Sequence, residues 1–171
     1  FLLLLKIGAL CNDAELQKKD SKIEVIGDPT EAALLVSAQK AGIDRTQLET
    51  TESRINEIPF SSERKMMTTV HKGSKGTISY TKGAPDIIIK QCSRIIIDGK
   101  IQTLDPKRKQ DILKCNEELA SQALRILGFA YNDSFRTHDD SEKNMIFVGL
   151  QAMIDPPRAE VKESIQKCQQ A

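Results

Sequence analysis

Tryptophan is missing from this chain of 171 residues, and aromatic residues make up only 4% of it. An excess of charge is missing too, since 25 basic and 24 acidic residues leave a net charge of +1. Such a balance provides no overall field to attract nucleic acid, so we expect no nucleic-acid partner. Long apolar runs are also lacking, because the apolar start of the chain ends at Lys6. A membrane span needs roughly 20 apolar residues, so we expect no direct membrane insertion by this chain.

Cysteines are few and far apart. No two of them have the C-x-x-C spacing of a metal-binding or redox motif. Disulfide-rich secreted scaffolds are denser in cysteine and usually shorter. We therefore interpret Cys11, Cys92, Cys115 and Cys168 as reduced thiols, and we predict no metal site.

What the chain does contain is a succession of short apolar segments separated by turn signals. Leu3, Leu4, Ile7 and Leu10 recur at helical spacing and predict a first helix entered partway along, so we expect a piece of a longer protein. A charged loop would then lead to a short strand at 23–26.

A second helix begins with a strong start signal. Asp28 can cap it, Pro29 suits its first position, and Glu31 stands where a capping box places its acid. We predict that this helix ends at Gly42.

Residues rich in threonine, valine, isoleucine and tyrosine indicate a series of strands joined mainly as hairpins. Together with the interspersed helices, they predict an α+β domain with a twisted antiparallel sheet of about six strands flanked by helices. The predicted elements are strands at 54–60, 65–71, 77–82, 95–97, 101–103, 127–132 and 146–153, a short helix from 84, a long helix from 104 to about 127, and a final helix from about 159.

The lengths of two turns in this predicted sheet decide whether Phe60, Lys65 and Lys82 lie on the same face. A four-residue turn at 61–64 would place Phe60 directly opposite Lys65 on one face. A four-residue loop before the next strand would carry Lys82 opposite Met67, on that same face, whereas a five-residue loop would move it to the other face.

An exposed ring beside two cations suits a ligand with a flat base and a phosphate tail. Stacking a base on Phe60 contributes ~1–3 kcal/mol, and each ammonium adds a screened attraction to phosphate. Neither G-x-x-x-x-G-K-[ST] nor G-x-G-x-x-G occurs, so side chains would hold the nucleotide. We expect an affinity on the order of 0.1–1 mM. The alternative is that Phe60 is a core residue and that Lys65 and Lys82 are solvated.

Five motifs in this order resemble the nucleotide-binding domain of P-type cation-transporting ATPases, and GALCNDA at 8–14 is similar to the calcium-pump-like branch of that family. The motifs are GDPTEAAL at 27–34, PFSSERKMM at 59–67, KGAPD at 82–86, ALRIL at 123–127 and DPPR at 155–158.

This resemblance implies how an adenine would be held. Phe60 would stack on the ring, while Lys82 would line the back of the pocket beside base and ribose. Lys65 would stand near the rim, and Glu31 would accept a hydrogen bond from the adenine amino group. The alternative role of Glu31 is to complete the capping box with Asp28.

The resemblance also implies contacts for the rest of the nucleotide. Arg125 would reach the phosphates with its forked donors, and Gly83 belongs to the same ATP-binding set through the KGAP motif. The alternative is that Arg125 is a helix-end cation favoured by the macrodipole. Some calcium pumps have a second arginine where this chain has Ser62, which puts one phosphate contact in doubt, and Arg64 is a doubtful substitute for it.

Larger consequences follow from the resemblance as well. Residues 1–154 would be the nucleotide-binding domain, and residues 155–171 a hinge and the first helix toward the phosphorylation domain. The chain lacks D-K-T-G-T, T-G-D and G-D-G-x-N-D. It should therefore bind ATP without hydrolysing it, with no catalytic residue of its own.

The parent would be an integral membrane pump with this domain at the cytoplasmic face of the membrane. Its partners would be ATP, with Mg in the parent pump, and the phosphorylation, actuator and membrane domains of the same chain. Calcium is the expected ion. Two other classes remain open, namely a protein-interaction module without enzymatic activity and a self-contained phosphohydrolase.

Overall fold

The computed structural model of the chain describes residues 1–19, 22–74, 76–135, 137, 140–154 and 161–170. Within these residues it has the following elements in chain order: α1 (Leu2–Leu10), β1 (Glu15–Lys19), β2 (Lys22–Ile26), α2 (Pro29–Lys40), α3 (Arg45–Thr51), β3 (Ser53–Ser61), β4 (Met66–Gly73), β5 (Gly76–Gly83), α4 (Pro85–Gln91), β6 (Cys92–Ile97), β7 (Lys100–Thr103), α5 (Pro106–Ala120), β8 (Arg125–Asn132), β9 (Met145–Met153) and α6 (Val161–Gln170).

A seven-stranded sheet organises the fold, in the order β3-β4-β5-β8-β9-β6-β7. Its neighbouring strands are antiparallel except β6 and β9, which run parallel. The predicted α+β class is confirmed, and the sheet has seven strands rather than about six, one at each of the seven predicted segments between 54 and 153. β1 and β2 form a separate two-stranded hairpin. The expectation of a loop between the first helix and residue 23 is therefore wrong over Glu15–Lys19, because this charged segment pairs with β2.

Each face of the sheet carries its own core. On one face, α1 packs against the sheet and α2 packs against α1, and Leu10 of α1 and Leu34 of α2 join Met67, Tyr80 and Phe129 in one core. On the other face, α4 contributes Ile88 and Ile89 to a second core, against which α5 packs. The apolar side of α1 predicted from its spacing is buried, apart from the partly buried Leu3.

Capping residues set where the helices begin. The Asp28 carboxylate accepts hydrogen bonds from the amides of Thr30 (2.7 Å) and Glu31 (3.3 Å), so α2 begins where the sequence predicts. The long helix α5 begins as expected after its cap Asp105. It ends at Ala120 rather than near residue 127, because Ala123 adopts a positive φ of 58° and β8 follows at once.

The register between β4 and β5 is as predicted, with Lys82 paired with Met67. The register between β3 and β4 differs, since Ser61 pairs with Met66 and the turn occupies 62–65. The expectation that Phe60 lies opposite Lys65 is therefore wrong. The turn begins one residue later than expected, and a bulge precedes it, because the shift between Ile58 and Ser61 leaves two residues of β3 facing one of β4.

Beyond β9, the described chain resumes with α6. The predicted break and hinge at 155–158 lie outside the described residues, so the division at residue 154 stays a prediction. Among the described helices, none is both long and apolar enough to cross a membrane.

Candidate functional site

Lys82 is buried on the sheet face that α2 covers. Its side chain is 8% exposed, and its Nζ lies 2.5 Å from Oε1 of Glu31 in the first turn of α2. The interpretation of Lys82 as a solvated rim residue is therefore wrong. The other oxygen of Glu31 accepts a hydrogen bond from the amide of Asp13 (3.1 Å). The Glu31 carboxylate thus faces Lys82 and the end of α1, so the capping-box alternative, in which it bonds the Asp28 amide, is wrong.

Phe60 is exposed over 61% of its surface near the end of the edge strand β3. The alternative that it is a core residue is therefore wrong. Ser61 pairs with Met66, whose side chain belongs to the core on the α4 side. Pro59 and Phe60 together oppose Met67 in the bulge, and Met67 pairs with Lys82, so Phe60 is placed on the face of Lys82. An exposed ring on the edge strand and a buried ion pair two strands away therefore share one face of the sheet.

Lys65 belongs to the turn that follows β3, where it adopts a left-handed conformation with φ of 54°. Its amide donates to the carbonyl of Ser61 (2.7 Å), and its own carbonyl accepts from the amide of Ala84 (2.9 Å). The side chain is exposed. Lys65 is thus held near Phe60 by the turn itself rather than through strand pairing.

Gly83 supports this turn from the neighbouring strand. A Cβ placed on Gly83 would lie 2.5 Å from the carbonyl oxygen of Lys65 and 2.6 Å from Cβ of Met66. Contacts under 3.0 Å are ones that real Cβ atoms essentially never make. Glycine at this position therefore allows the turn to approach β5.

Arg125 is the first residue of β8, five positions after the end of α5. The alternative of a helix-end cation is therefore wrong. Its guanidinium donates to Oγ1 of Thr30 at 2.5 Å, which places it at the amino terminus of α2. Burial alone would raise the pKa of Asp28 there, but hydrogen bonds from Thr30 and the charge of Arg125 hold that pKa below its usual value.

The structure thus brings four of the six predicted residues to one face of the sheet, with two more in the adjoining turn and strand end. Glu31 and Lys82 are in contact with each other. Arg125 bonds Thr30, the residue that precedes Glu31 in α2, and Phe60 lies on the same face. Lys65 and Gly83 pack together at the turn.

Sequence reasoning missed the partner of Arg64. The Arg64 guanidinium contacts both carboxylate oxygens of Glu142, at 2.8 and 2.6 Å. The two residues are 78 positions apart, so no spacing rule could have joined them. Arg64 is therefore engaged within the protein and is not a free substitute for the arginine that is missing at Ser62.

The chain has two histidines. His138 lies outside the described residues. His71 is only 1% exposed, and its ring nitrogens contact the carbonyl of Glu52 (3.1 Å) and Oγ1 of Thr69 (2.8 Å). Burial lowers the pKa of His71. This cluster lies near the end of β4 that is remote from Met67 and Lys82.

Comparison with known proteins adds an independent finding. A family model described as "P-type ATPase, cytoplasmic domain N" matches residues 1–160. The expected family, with its cytoplasmic placement, is confirmed by this match.

Three relatives illustrate the similarity. Calcium-transporting ATPase 1 of Bacillus cereus is 45% identical over 172 residues, covering 99% of this chain and 19% of the relative. Calcium-transporting ATPase of Bacillus subtilis is 39% identical, covering 98% of this chain and 19% of the relative. Cation-transporting ATPase pma1 of Synechocystis is 38% identical, covering 96% and 18%. The chain spans about a fifth of the length of these relatives. It belongs to the family of cytoplasmic N domains of P-type ATPases.

Proposed function

We propose that this chain binds ATP by its adenine ring, as the nucleotide-binding domain of a cation-transporting pump. The observation that carries the proposal is the 61% exposure of Phe60 on the same sheet face as the buried Lys82–Glu31 pair. A ring that is neither in the core nor covered by another element offers a free face for base stacking.

The base would lie against Phe60 and be oriented by Glu31. Each oxygen of the Glu31 carboxylate already accepts one hydrogen bond, from Lys82 or from the amide of Asp13. A carboxylate has about four acceptor positions, so it can still accept a bond from the adenine amino group. Lys82 keeps this carboxylate in place and closes the back of the pocket beside the ribose.

The phosphates would extend toward Arg125 and Lys65, both of which are exposed cations at the edge of this group. Arg125 is oriented by its bond to Thr30 and presents further N–H donors to an anion. Among the described residues, no group of three histidine, cysteine or acidic side chains is placed to hold a metal ion. Magnesium would thus arrive on the ATP phosphates and be held by other parts of the pump.

In the whole pump, the domain would hold ATP and present its γ-phosphate to an aspartate of the phosphorylation domain. That arrangement contributes positioning and leaves the chemistry to the other domain. The phosphorylation, actuator and membrane domains are the proposed partners within the same chain. The relatives named calcium-transporting ATPases make calcium the proposed ion.

A titration with ATP, followed by backbone amide NMR, tests the proposal. With the expected affinity on the order of 0.1–1 mM, the amides of Phe60, Glu31 and Lys82 should shift and approach saturation by about 5 mM ATP. Unmoved amides at these positions would overturn the proposal. Capture of a protein partner without any nucleotide response would instead favour the interaction module.

A phosphate-release assay on the purified chain tests the expected lack of hydrolysis. No turnover should be detected, since the sequence lacks the aspartate motif that accepts the phosphoryl group. Turnover that is lost in a Phe60→Ala variant would contradict this expectation and favour the phosphohydrolase class.

A further inference from the structure

A polar cluster lies under the proposed site, on the face of the sheet opposite Phe60 and Lys82. Its centre is Glu142, which lies in the segment between β8 and β9. The Glu142 carboxylate forms an ion pair with Arg64 of the turn at 62–65. The Glu142 side chain is 14% exposed and the Arg64 side chain 29%. One terminal nitrogen of Arg64 contacts both oxygens of the Glu142 carboxylate, and this charge-assisted contact holds the guanidinium beside Glu142.

The second terminal nitrogen of Arg64 joins the two strands that the turn connects. It donates to the carbonyl of Pro59 (2.8 Å) and to the carbonyl of Met66 (3.1 Å). Pro59 precedes Phe60 within the bulge of β3, and Met66 is the first residue of β4. A single guanidinium therefore holds both sides of the turn that carries the exposed ring.

Glu142 is itself anchored to the middle of the sheet. Oγ1 of Thr68 donates to its Oε1 (2.7 Å) and lies 2.9 Å from Oγ1 of Thr81 on the next strand. Thr68 and Thr81 are paired residues of β4 and β5, one position from Met67 and Lys82 respectively. Because side chains alternate along a strand, this anchor occupies the face opposite the proposed ATP contacts.

We infer that Arg64 and Glu142 are positioning residues for nucleotide binding, acting through the bulge that holds Phe60 and without touching the nucleotide. The inference rests on the proposed ATP-binding function. Phe60 stands on an edge strand, where a bulge leaves its backbone with fewer ladder bonds. A ring that is already held in its binding orientation loses less freedom when a base stacks on it, so the pair strengthens binding by preorganisation.

Two conservative variants separate this role from a direct phosphate contact. Arg64→Lys keeps the positive charge but cannot donate to Glu142, Pro59 and Met66 with one planar fork. Glu142→Gln keeps the size of the side chain but removes the charge that holds Arg64. The dissociation constants of ATP and of AMP are measured for the unaltered chain and for each variant by amide NMR titration.

Each variant should bind ATP roughly 3–10-fold more weakly, which corresponds to part of the stacking free energy of one base. The affinity for AMP should fall by the same factor to within about twofold. The substitutions weaken the stacking of the base, which AMP and ATP share, and leave the contacts of the additional phosphates of ATP unchanged. In the absence of nucleotide, the amide resonances of Phe60 and Lys65 should already differ from those of the unaltered chain. A loss confined to ATP would overturn the inference in favour of a phosphate contact by Arg64.

A double-mutant cycle tests whether the pair acts through Phe60. In a Phe60→Ala background, Glu142→Gln should cause little further loss, whereas independent effects would multiply and overturn the inference. Glu49→Gln, which breaks the Arg45–Glu49 ion pair of α3, is the matched control and should leave the ATP affinity unchanged.

Urea unfolding of each variant provides the readout for a merely structural role. Lower stability with an unchanged dissociation constant of the folded chain would overturn the inference. Should Glu142→Gln fail to fold, Arg64→Lys carries the same comparison. If the unaltered chain binds ATP and the variants bind equally well, only this inference fails. If the unaltered chain does not bind ATP, the proposed function fails first and the inference with it.

Discussion

Lys82 Nζ lies 2.5 Å from Glu31 Oε1, and this ion pair ties β5 to the first turn of α2 across 51 positions of sequence. The two side chains are 8% and 16% exposed, so water screens the pair only weakly. Removing one partner of such a pair leaves the other charge with neither water nor a counter-ion.

Glu31→Gln should therefore lower the free energy of unfolding by about 2–3 kcal/mol, somewhat less than for a fully buried pair. Urea denaturation followed by circular dichroism measures this change. Glu24→Gln on the exposed strand β2 is the control and should change the stability by less than about 0.5 kcal/mol. Equal effects of the two substitutions would contradict the expected contribution of the Lys82–Glu31 pair to the free energy of unfolding.

Phe60→Ala should weaken ATP binding by ~1–3 kcal/mol, the contribution of one stacked base. Because the ring is 61% exposed, the free energy of unfolding should change little. Titration calorimetry and urea denaturation measure the two quantities separately. Ile55→Ala is a matched control, since Ile55 is 54% exposed on the same strand β3 and should leave ATP affinity unaltered. Unfolding of the Phe60 variant with intact affinity in the folded fraction would contradict the stacking role.

Gly83→Ala should destabilise the fold and weaken ATP binding together. The new Cβ would meet the carbonyl oxygen of Lys65 at 2.5 Å, so the turn beside Phe60 must move. Overpacking of this kind costs about 1–3 kcal/mol. Urea denaturation and an ATP titration measure both effects.

Gly8→Ala provides the comparison for Gly83→Ala. A Cβ on Gly8 would make only ordinary contacts, at 3.6 Å to Leu34 and Phe129, within helix α1. It should be neutral or stabilise the chain by up to about 1 kcal/mol, since alanine favours helices over glycine. If both glycine variants behaved alike, the close approach of the Lys65 turn to Gly83 would not matter.

Local rules explain which parts of the fold could be predicted from sequence. Asp28 and Pro29 define the start of α2, because a cap and a proline act on neighbouring residues only. The strands predicted at 95–97 and 101–103 form a hairpin, and its turn residues Asp98 and Gly99 adopt the positive φ values that a tight turn requires. The pairing of Lys82 with Met67 followed from the length of one loop.

Features that depend on distant contacts could not be predicted in this way. The parallel pairing of β6 with β9 joins two strands that are separated in the chain by β7, α5 and β8. The turn after β3 begins at residue 62 rather than 61, which places Lys65 within the turn, and the bulge before Ser61 had no signal in the sequence. Phe60 nevertheless lies on the face of Lys82, as predicted, although the predicted pairing of Phe60 with Lys65 was wrong. The Arg64–Glu142 pair had no signal in the sequence at all.

The stability of the fold should also depend on the protonation of His71. Burial lowers its pKa in the folded chain below the ordinary value of 6.5, since a buried imidazolium loses its hydration and faces Arg54 nearby. The carbonyl and carboxylate of Glu52 oppose this effect without reversing it. Below pH 6.5 the unfolded chain therefore binds a proton more readily than the folded chain, so stability should fall as the pH decreases through this range.

Urea denaturation between about pH 7.5 and pH 5.5 tests this expectation in the unaltered chain and in His71→Gln. The variant loses the titrating ring, so its stability should depend less on pH over the same range. Glu52 does not confuse the comparison. Burial would raise its pKa, but hydrogen bonds from Lys6 and Tyr80 lower it below 4.5, so its contribution is present above that pH and is lost only at lower values. Parallel curves for the two chains would mean that His71 takes up its proton equally well in the folded state, which its 1% exposure and its bond to Thr69 argue against.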